Sequence, residues 1–302
     1  MECKWSDDAQ LAGAASEVGS PRGPHGGRAG WILAAVGVLV LAGSALAGPA
    51  QRVISLAPSV TEIIYALGEG GRLVGVCGHC DYPAGVAALP RVGGFLSPSV
   101  EAVIAAEPDL VVAVPSPGNR EAVRAIERAG VRVLVVSDRT LADLWRSIER
   151  VGEALGRPSA ARRLAAQLRA DLETIRRSVA GRPRPGVLLV VGHRPLIIAG
   201  GGTLQDELVG IAGGRNVGAD VGEMWPQISM EVVLARRPDV IIDAAMGTEQ
   251  GREALFATLA GPGQDAPRIV AMEMDALVRA GPRVVEAARA LARVIHPGHR
   301  RE

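Results

Sequence analysis

Lysine is almost missing from this 302-residue chain: Lys4 is the only one, and arginine carries nearly all the positive charge. Acids and bases nearly cancel, leaving a formal net charge of +1, so no broad field draws the chain to nucleic acid or to an acidic membrane surface. Hydrophobic residues make up 48%, which fits a globular protein rather than one with several membrane spans. Aromatic residues are scarce, at 3%, so each ring needs a reason to be where it is. The sequence contains no G-x-S-x-G elbow, no H-E-x-x-H and no convincing Ser–His–Asp set, which argues against a hydrolase and against an enzyme generally. The glycine-rich AGGGT (199–203) lacks the lysine and spacing of a phosphate loop and reads as a turn. Cysteine occurs three times, and Cys77 and Cys80 share one short stretch, VGVCGHCDYP. No second Cys/His cluster accompanies them, and only His79 and His193 are placed to help, so a metal site is short of ligands.

What is present begins with a leader. Residues 1–30 are rich in Gly, Ser, Pro and charge and show no apolar period. Arg28 then precedes an apolar run from Trp31 to about Leu46, and Ala45-Leu46-Ala47 has the small-x-small form of a signal-peptidase site. The expectation is export, with cleavage after Ala47 releasing a soluble protein; left uncleaved, the run would serve as a membrane anchor. No cysteine lies near the cleavage point to accept a lipid.

Beyond residue 50, short β-branched runs alternate with helical periods: RVISLAP, then SVTEIIYALGEG, then LVGVC, SVEAVIAAEP, DLVVAV, NREAVRAIERAG and VRVLVVS. Such alternation predicts parallel sheets flanked by helices. Ser59, with Glu62 three residues on, reads as the cap of the first helix. The middle changes character. Leu141, Leu144, Trp145, Ile148 and Val151 form one helical stripe, and Leu164, Leu168, Leu172, Ile175 and Val179 another, the latter in a helix of about 20 residues and hence ~30 Å. Strand–helix alternation then resumes, and GPRVVEAARALARVI closes the chain as a helix. The most informative feature is an echo: SVEAVIAAEPDLVV (99–112) aligns without a gap on SMEVVLARRPDVII (229–242), from Ser99 to Ser229. In each copy a serine caps a helix, an acid (Glu101, Glu231) stands in its first turn, and Pro-Asp ends it before a strand. The expected organisation is a leader (1–47), a first α/β lobe (48–140), linking helices including one long rod (141–181) and a second lobe (182–302). Two similar lobes enclose a cleft, where small ligands usually bind.

With those residues in view, RVISLAPSVTEIIYALG, CDYP, SVEAVIAAEPDLVV, MWPQISMEVVLARRPDVII and RAGPRVVEAARALARVIHP together resemble the periplasmic cobalamin-binding proteins of ABC importers, over essentially all of residues 51–297. That family belongs to the helical-backbone class of solute-binding proteins, whose haem and ferric-siderophore receptors share the scaffold. The resemblance implies a monomer that needs no cofactor and binds cobalamin in the cleft. It also implies a partner, the importer's permease dimer with its ATPase subunits. Carried over by position, the pocket would use Pro58, Tyr82, Phe95, Trp225, Asp275 and Arg279. Aromatic walls would bury the faces of a corrin disc while Asp and Arg bond its amide edge. Pro115 and Ile197 depart from the pattern, standing where the family has aromatics. His193, just past a strand, is the further residue able to face the cleft. Glu101 and Glu231 would dock on the permease, one acid per lobe suiting a twofold partner.

Cys77-Gly78-His79-Cys80 has the letters of a thiol–disulfide centre, which supplies an alternative from another class: an extracytoplasmic redox protein. The motif there opens a helix, whereas Pro83 here steers Tyr82 toward extended backbone. In an oxidising compartment the two cysteines are expected as a small structural disulfide or as two half-buried thiols.

Overall fold

Strand residues of this chain belong alternately to two different interiors, and this period of two sets the architecture. In the computed structural model, residues 48–245, 266–272 and 275–298 are described. The leader, with Arg28 and Ala45–Ala47, therefore lies outside the described residues. Among the described residues no helix is long and apolar enough to cross a membrane.

The first lobe holds β1 (Val53–Ser55), α1 (Pro58–Ala66), β2 (Leu73–Val76), α2 (Val100–Ala105), β3 (Leu110–Ala113), α3 (Arg120–Arg128) and β4 (Val133–Val135). Its sheet is wholly parallel, in the order β2-β1-β3-β4. Two helices follow, α4 (Leu141–Ala154) and the 21-residue α5 (Pro158–Ser178), at ~1.5 Å per residue the ~30 Å rod that the leucine spacing predicts. The second lobe runs through β5 (Gly186–His193), β6 (Leu196–Ile198), α6 (Leu204–Ile211), β7 (Arg215–Asn216), α7 (Met230–Arg236), β8 (Val240–Asp243), β9 (Arg268–Ala271), α8 (Asp275–Val278) and α9 (Val284–Ile295). Strand β5 pairs in parallel with β7 and β8, and β8 with β9. The parallel path β7-β5-β8-β9 thus reproduces β2-β1-β3-β4. One strand breaks the likeness: β6 folds back antiparallel on the end of β5.

Val53, Leu110, Val112, Val187, Leu189, Val240 and Ile242 point to a single interior shared by both sheets, filled from α1, α4, α5, α6 and α9. Their chain neighbours point the other way. Ile54, Val111 and Ala113 meet Val103 of α2 and Val123 and Ile126 of α3, while Leu188, Val190 and Ile241 meet Val233 of α7.

The echo in sequence is an echo in backbone. Glu107 and Arg237, equivalent residues that end α2 and α7, both take a left-handed conformation, with φ of 46° and 44°. Asp109 then accepts from the backbone of Gln51 and Arg52 at 2.7 and 3.1 Å, and Asp239 accepts from Gly186 at 2.5 Å. Each lobe's first strand is therefore clamped by the aspartate of its repeat.

Ser59 does not cap the first helix. Helix α1 begins one residue earlier, with Pro58 at its first position, where proline's fixed φ suits the turn and its missing N–H costs nothing. Ser59 is buried within the first turn, and Glu62 points elsewhere, into the site described next.

Candidate functional site

Tyr82 and Asp81 follow directly on Cys77–Cys80, in a segment hung from the end of β2. The Cys77 backbone N–H continues the sheet by bonding Ser55 O at 2.9 Å. Arg91 gathers the carbonyls of both Cys77 and Cys80 on one guanidinium nitrogen. The Tyr82–Pro83 peptide is cis, and a short 3-10 turn (Ala84–Ala88) follows instead of an α-helix. Both thiols are fully buried rather than half-buried. Their Sγ atoms lie 2.8 Å apart, and the Thr61 hydroxyl donates to Cys80 Sγ at 3.2 Å. The hydrogen bond between the thiols holds Cys77 below the usual thiol range and pushes Cys80 far above it, helped by burial. A thiol with no exposed surface cannot attack a partner protein's disulfide, and here neither cysteine opens a helix.

Two arginines of the second lobe reach this segment across the lobe boundary. Arg279, just after α8, donates to Asp81 through Nη1–Oδ1 at 2.7 Å and Nη2–Oδ2 at 3.4 Å, and pairs with Asp275 of its own turn at 3.2 Å. That contact holds the Asp81 carboxyl below its ordinary range. Arg283, at the start of α9, grips Glu62 of α1 with two bonds, of 2.5 and 3.0 Å, and its guanidinium lies 4.2 Å from the centroid of the Tyr82 ring. Glu62 is 2% exposed, so this is a buried ion pair, and the bond to Glu62 raises Arg283 further above its already high value. Gly281 makes the approach possible, because a Cβ there would sit 2.8 Å from Glu62 Oε2. The structure therefore brings Tyr82, Asp275 and Arg279 together, with Pro58 on the same helix α1 that supplies Glu62. Tyr82 keeps 45% of its surface in solvent.

Trp225 is mounted differently. Residues 224–228 run beside β6: Gly200 N bonds Met224 O at 2.9 Å, Ile198 N bonds Pro226 O at 3.2 Å, and Ile228 N bonds Leu196 O at 3.0 Å. Trp225 is held on this extended edge with 44% of its surface exposed, although tryptophan is usually mostly buried. Met224 beside it meets Arg139, whose carbonyl accepts from Leu204 N at 2.7 Å and so touches the second lobe. Phe95 sits half-buried in a tight loop closed by the Gly93–Pro98 bridge. The buried side chain of Asn119 ties that loop to the end of β3, donating to Phe95 O and Val114 O at 3.2 and 2.9 Å. His193, the last residue of β5, is bonded through Nε2 to the buried Asp243 at 2.9 Å.

Glu101 and Glu231 are exposed on α2 and α7. Ser99 caps α2 by accepting from Ala102 N at 3.1 Å and also bonds Glu101 at 3.2 Å. Ser229 caps nothing with its side chain and instead holds the Glu231 carboxyl below its usual range. One turn on from each acid, on the same helix face, stand the exposed Ile104 and Leu234, another pair related by the repeat.

Sequence reasoning missed Glu62 and Arg283 as partners. The available signal was an acid in the apolar run VTEII, which has to find a counter-charge if it is buried. Among the described residues no group of three or more His, Cys, Asp or Glu could hold a metal ion.

Residues 53–260 match the periplasmic binding protein family. The vitamin B12-binding protein of Yersinia pseudotuberculosis serotype O:1b (strain IP 31758) is 31% identical over 258 residues, covering 85% of this chain and 91% of that protein. Among solved structures, the periplasmic heme-binding protein of Roseiflexus sp. RS-1 in apo form superposes with a TM-score of 0.72 at 31% identity, covering 83% of this chain and 99% of that one. The periplasmic vitamin B12-binding protein of Vibrio cholerae gives 0.69 at 28% identity, covering 82% and 97%. Two like α/β lobes, a long connecting helix and a match across most of the chain lead to one conclusion: this chain belongs to the periplasmic binding protein family.

Proposed function

We propose that this protein captures a corrinoid between its lobes, outside the cytoplasm, and presents it to the permease dimer of an ABC importer driven by its ATPase subunits. The observation that carries the reading is the cross-lobe cluster of Tyr82, Arg279 and Asp275. It sets a half-exposed aromatic ring beside hydrogen-bonding groups of both signs, at positions where the resemblance implies ligand contacts. A corrin offers a broad apolar face and an edge of neutral amides. The ring buries part of the face, Arg279 donates to amide carbonyls, and Asp275 accepts from amide N–H groups. Trp225 and Phe95 supply further aromatic surface, and Pro58 shapes the first-lobe wall. The protein itself needs no cofactor.

Release to the permease rests on Glu101 with Ile104 and Glu231 with Leu234, an acid and an apolar residue repeated on each lobe. Cys77 and Cys80 close into a structural disulfide on export; Arg91 holds the same segment through its backbone carbonyls, so replacing both cysteines with serine leaves ligand binding intact.

Titration with cyanocobalamin, haemin and a ferric siderophore, followed by tryptophan fluorescence, tests the reading, with Trp225→Phe identifying the reporter. Saturable quenching by cyanocobalamin that disappears in Trp225→Phe supports it; a response to another ligand alone overturns the choice of cargo. Glu101→Ala with Glu231→Ala abolishes uptake while leaving affinity unchanged.

The second reading is haem, favoured by the likeness to the Roseiflexus protein. It would call on Tyr82 or His193 to meet the iron, and haemin binding with an axial-ligand absorption band would establish it.

A further inference from the structure

We propose that Asp81 is a specificity-determining residue that makes this end of the cleft reject anionic macrocycles and admit neutral ones. The inference deepens the function proposed above by saying how one class of flat ligand is told from another. At the lobe boundary two guanidiniums, Arg279 and Arg283, meet three carboxylates, those of Glu62, Asp81 and Asp275. Arg283 is committed to Glu62 and to the Tyr82 ring. Arg279 is shared between Asp81 of the opposite lobe and Asp275 of its own turn. Among the described residues, both of these guanidiniums are matched by carboxylates, and the neighbouring Arg91 is engaged by the Cys77 and Cys80 carbonyls.

The layering matters as much as the sum. The Arg279 side chain is 16% exposed and the Asp81 side chain 58%, so the cation lies beneath and the anion faces outward. Asp81 adjoins Tyr82, the ring against which a disc would rest. Arg283 already lies against that ring, so a ligand docking on its open surface has beside it the exposed Asp81 carboxylate rather than the more shielded Arg279 guanidinium. Haemin carries two propionate carboxylates and needs unpaired cations there, but like charges at short range repel it. A corrinoid edged with uncharged amides donates to one sign and accepts from the other, so the matched cluster suits it.

Asp81→Asn removes the outer charge, keeps the size and releases Arg279 Nη1, while Nη2 stays with Asp275. Affinities for haemin and cyanocobalamin are measured on the same preparations of wild type, Asp81→Asn, Asp81→Glu and the double variant Asp81→Asn/Arg279→Met, with thermal melts confirming folding. The expected result is a rise of about tenfold in the haemin-to-cyanocobalamin affinity ratio for Asp81→Asn, shrinking as salt is added. The ratio stays at the wild-type value in Asp81→Glu, and the gain in haemin affinity itself disappears in the double variant, whatever Arg279→Met does to cyanocobalamin. An unchanged ratio in Asp81→Asn, or a haemin gain that survives loss of Arg279, overturns the proposal; so does haemin binding that is undetectable in both wild type and Asp81→Asn. Absence of cyanocobalamin binding in wild type sinks the cargo assignment instead, while the change in haemin affinity on Asp81→Asn still decides the role of Asp81.

Discussion

The two lobes agree where they are built and differ at the candidate site. Strand order, the aspartate clamp on the first strand and the left-handed residue closing the repeat helix recur in both. The burial of Glu101–Leu110 matches that of Glu231–Val240 residue by residue, except that Pro108 is partly exposed and Pro238 buried. The unlike parts are the Cys77–Tyr82 segment after β2, present only in the first lobe, and the β6 hairpin that mounts Trp225, present only in the second. Duplication supplied a scaffold, and the candidate ligand-facing residues come from what each half added to it.

Six substitutions sharpen that comparison, in falling order of effect. Arg283→Met strips the counter-charge from Glu62 and leaves a buried carboxylate alone, so stability drops by about 3–5 kcal/mol in urea denaturation. The added change Glu62→Leu returns much of the loss, because an apolar pair can replace a buried ionic one. Asp109→Ala and Asp239→Ala test the clamps; each costs about 1–2 kcal/mol, Asp109 more, since it accepts from two backbone donors rather than one. Ser99→Ala costs about 1 kcal/mol by removing a helix cap, whereas Ser229→Ala, which removes no cap bond, stays close to zero. Equal effects at the two serines would show that the lobes are more alike than their hydrogen bonds.

A further small effect is one of pH. Arg279 lowers the Asp81 carboxyl and Arg283 adds to the field, so the contribution of Asp81 is complete above its unfolded value and is lost as acid protonates it in the folded protein. The carboxylate is more than half exposed, so solvent screening keeps this below about 1 kcal/mol. Comparing wild type with Asp81→Asn from neutral pH down to about pH 3 should show wild type losing its small advantage.

Much of this fold is legible in the sequence because its signals are local. Leucine spacing gives the α5 rod, β-branched runs give the strands, and Ser-x-Glu with Pro-Asp gives the repeat. The cap at Ser59 is misread because Pro58 and Ser59 both suit a helix start, and proline wins the earlier position. The Tyr82, Asp275 and Arg279 group follows from the resemblance, but its wiring does not. Asp81 and Arg279 lie 198 residues apart, and Glu62 and Arg283 lie 221 apart, so no local period reports such pairs. The antiparallel sense of β6 is equally silent, since LII reads as a strand in either direction.

The interior common to both sheets has a consequence for how the molecule comes apart. Inner-face residues of β1 and β3 share one continuous apolar mass with those of β5 and β8 and with α5 between them. Each half has an outer cluster of its own, but the largest interior is common to both, so the halves should melt as one cooperative unit, with fluorescence and circular dichroism tracing the same curve. Fragments cut in the loop after Ala180 would then remain unfolded until mixed with each other.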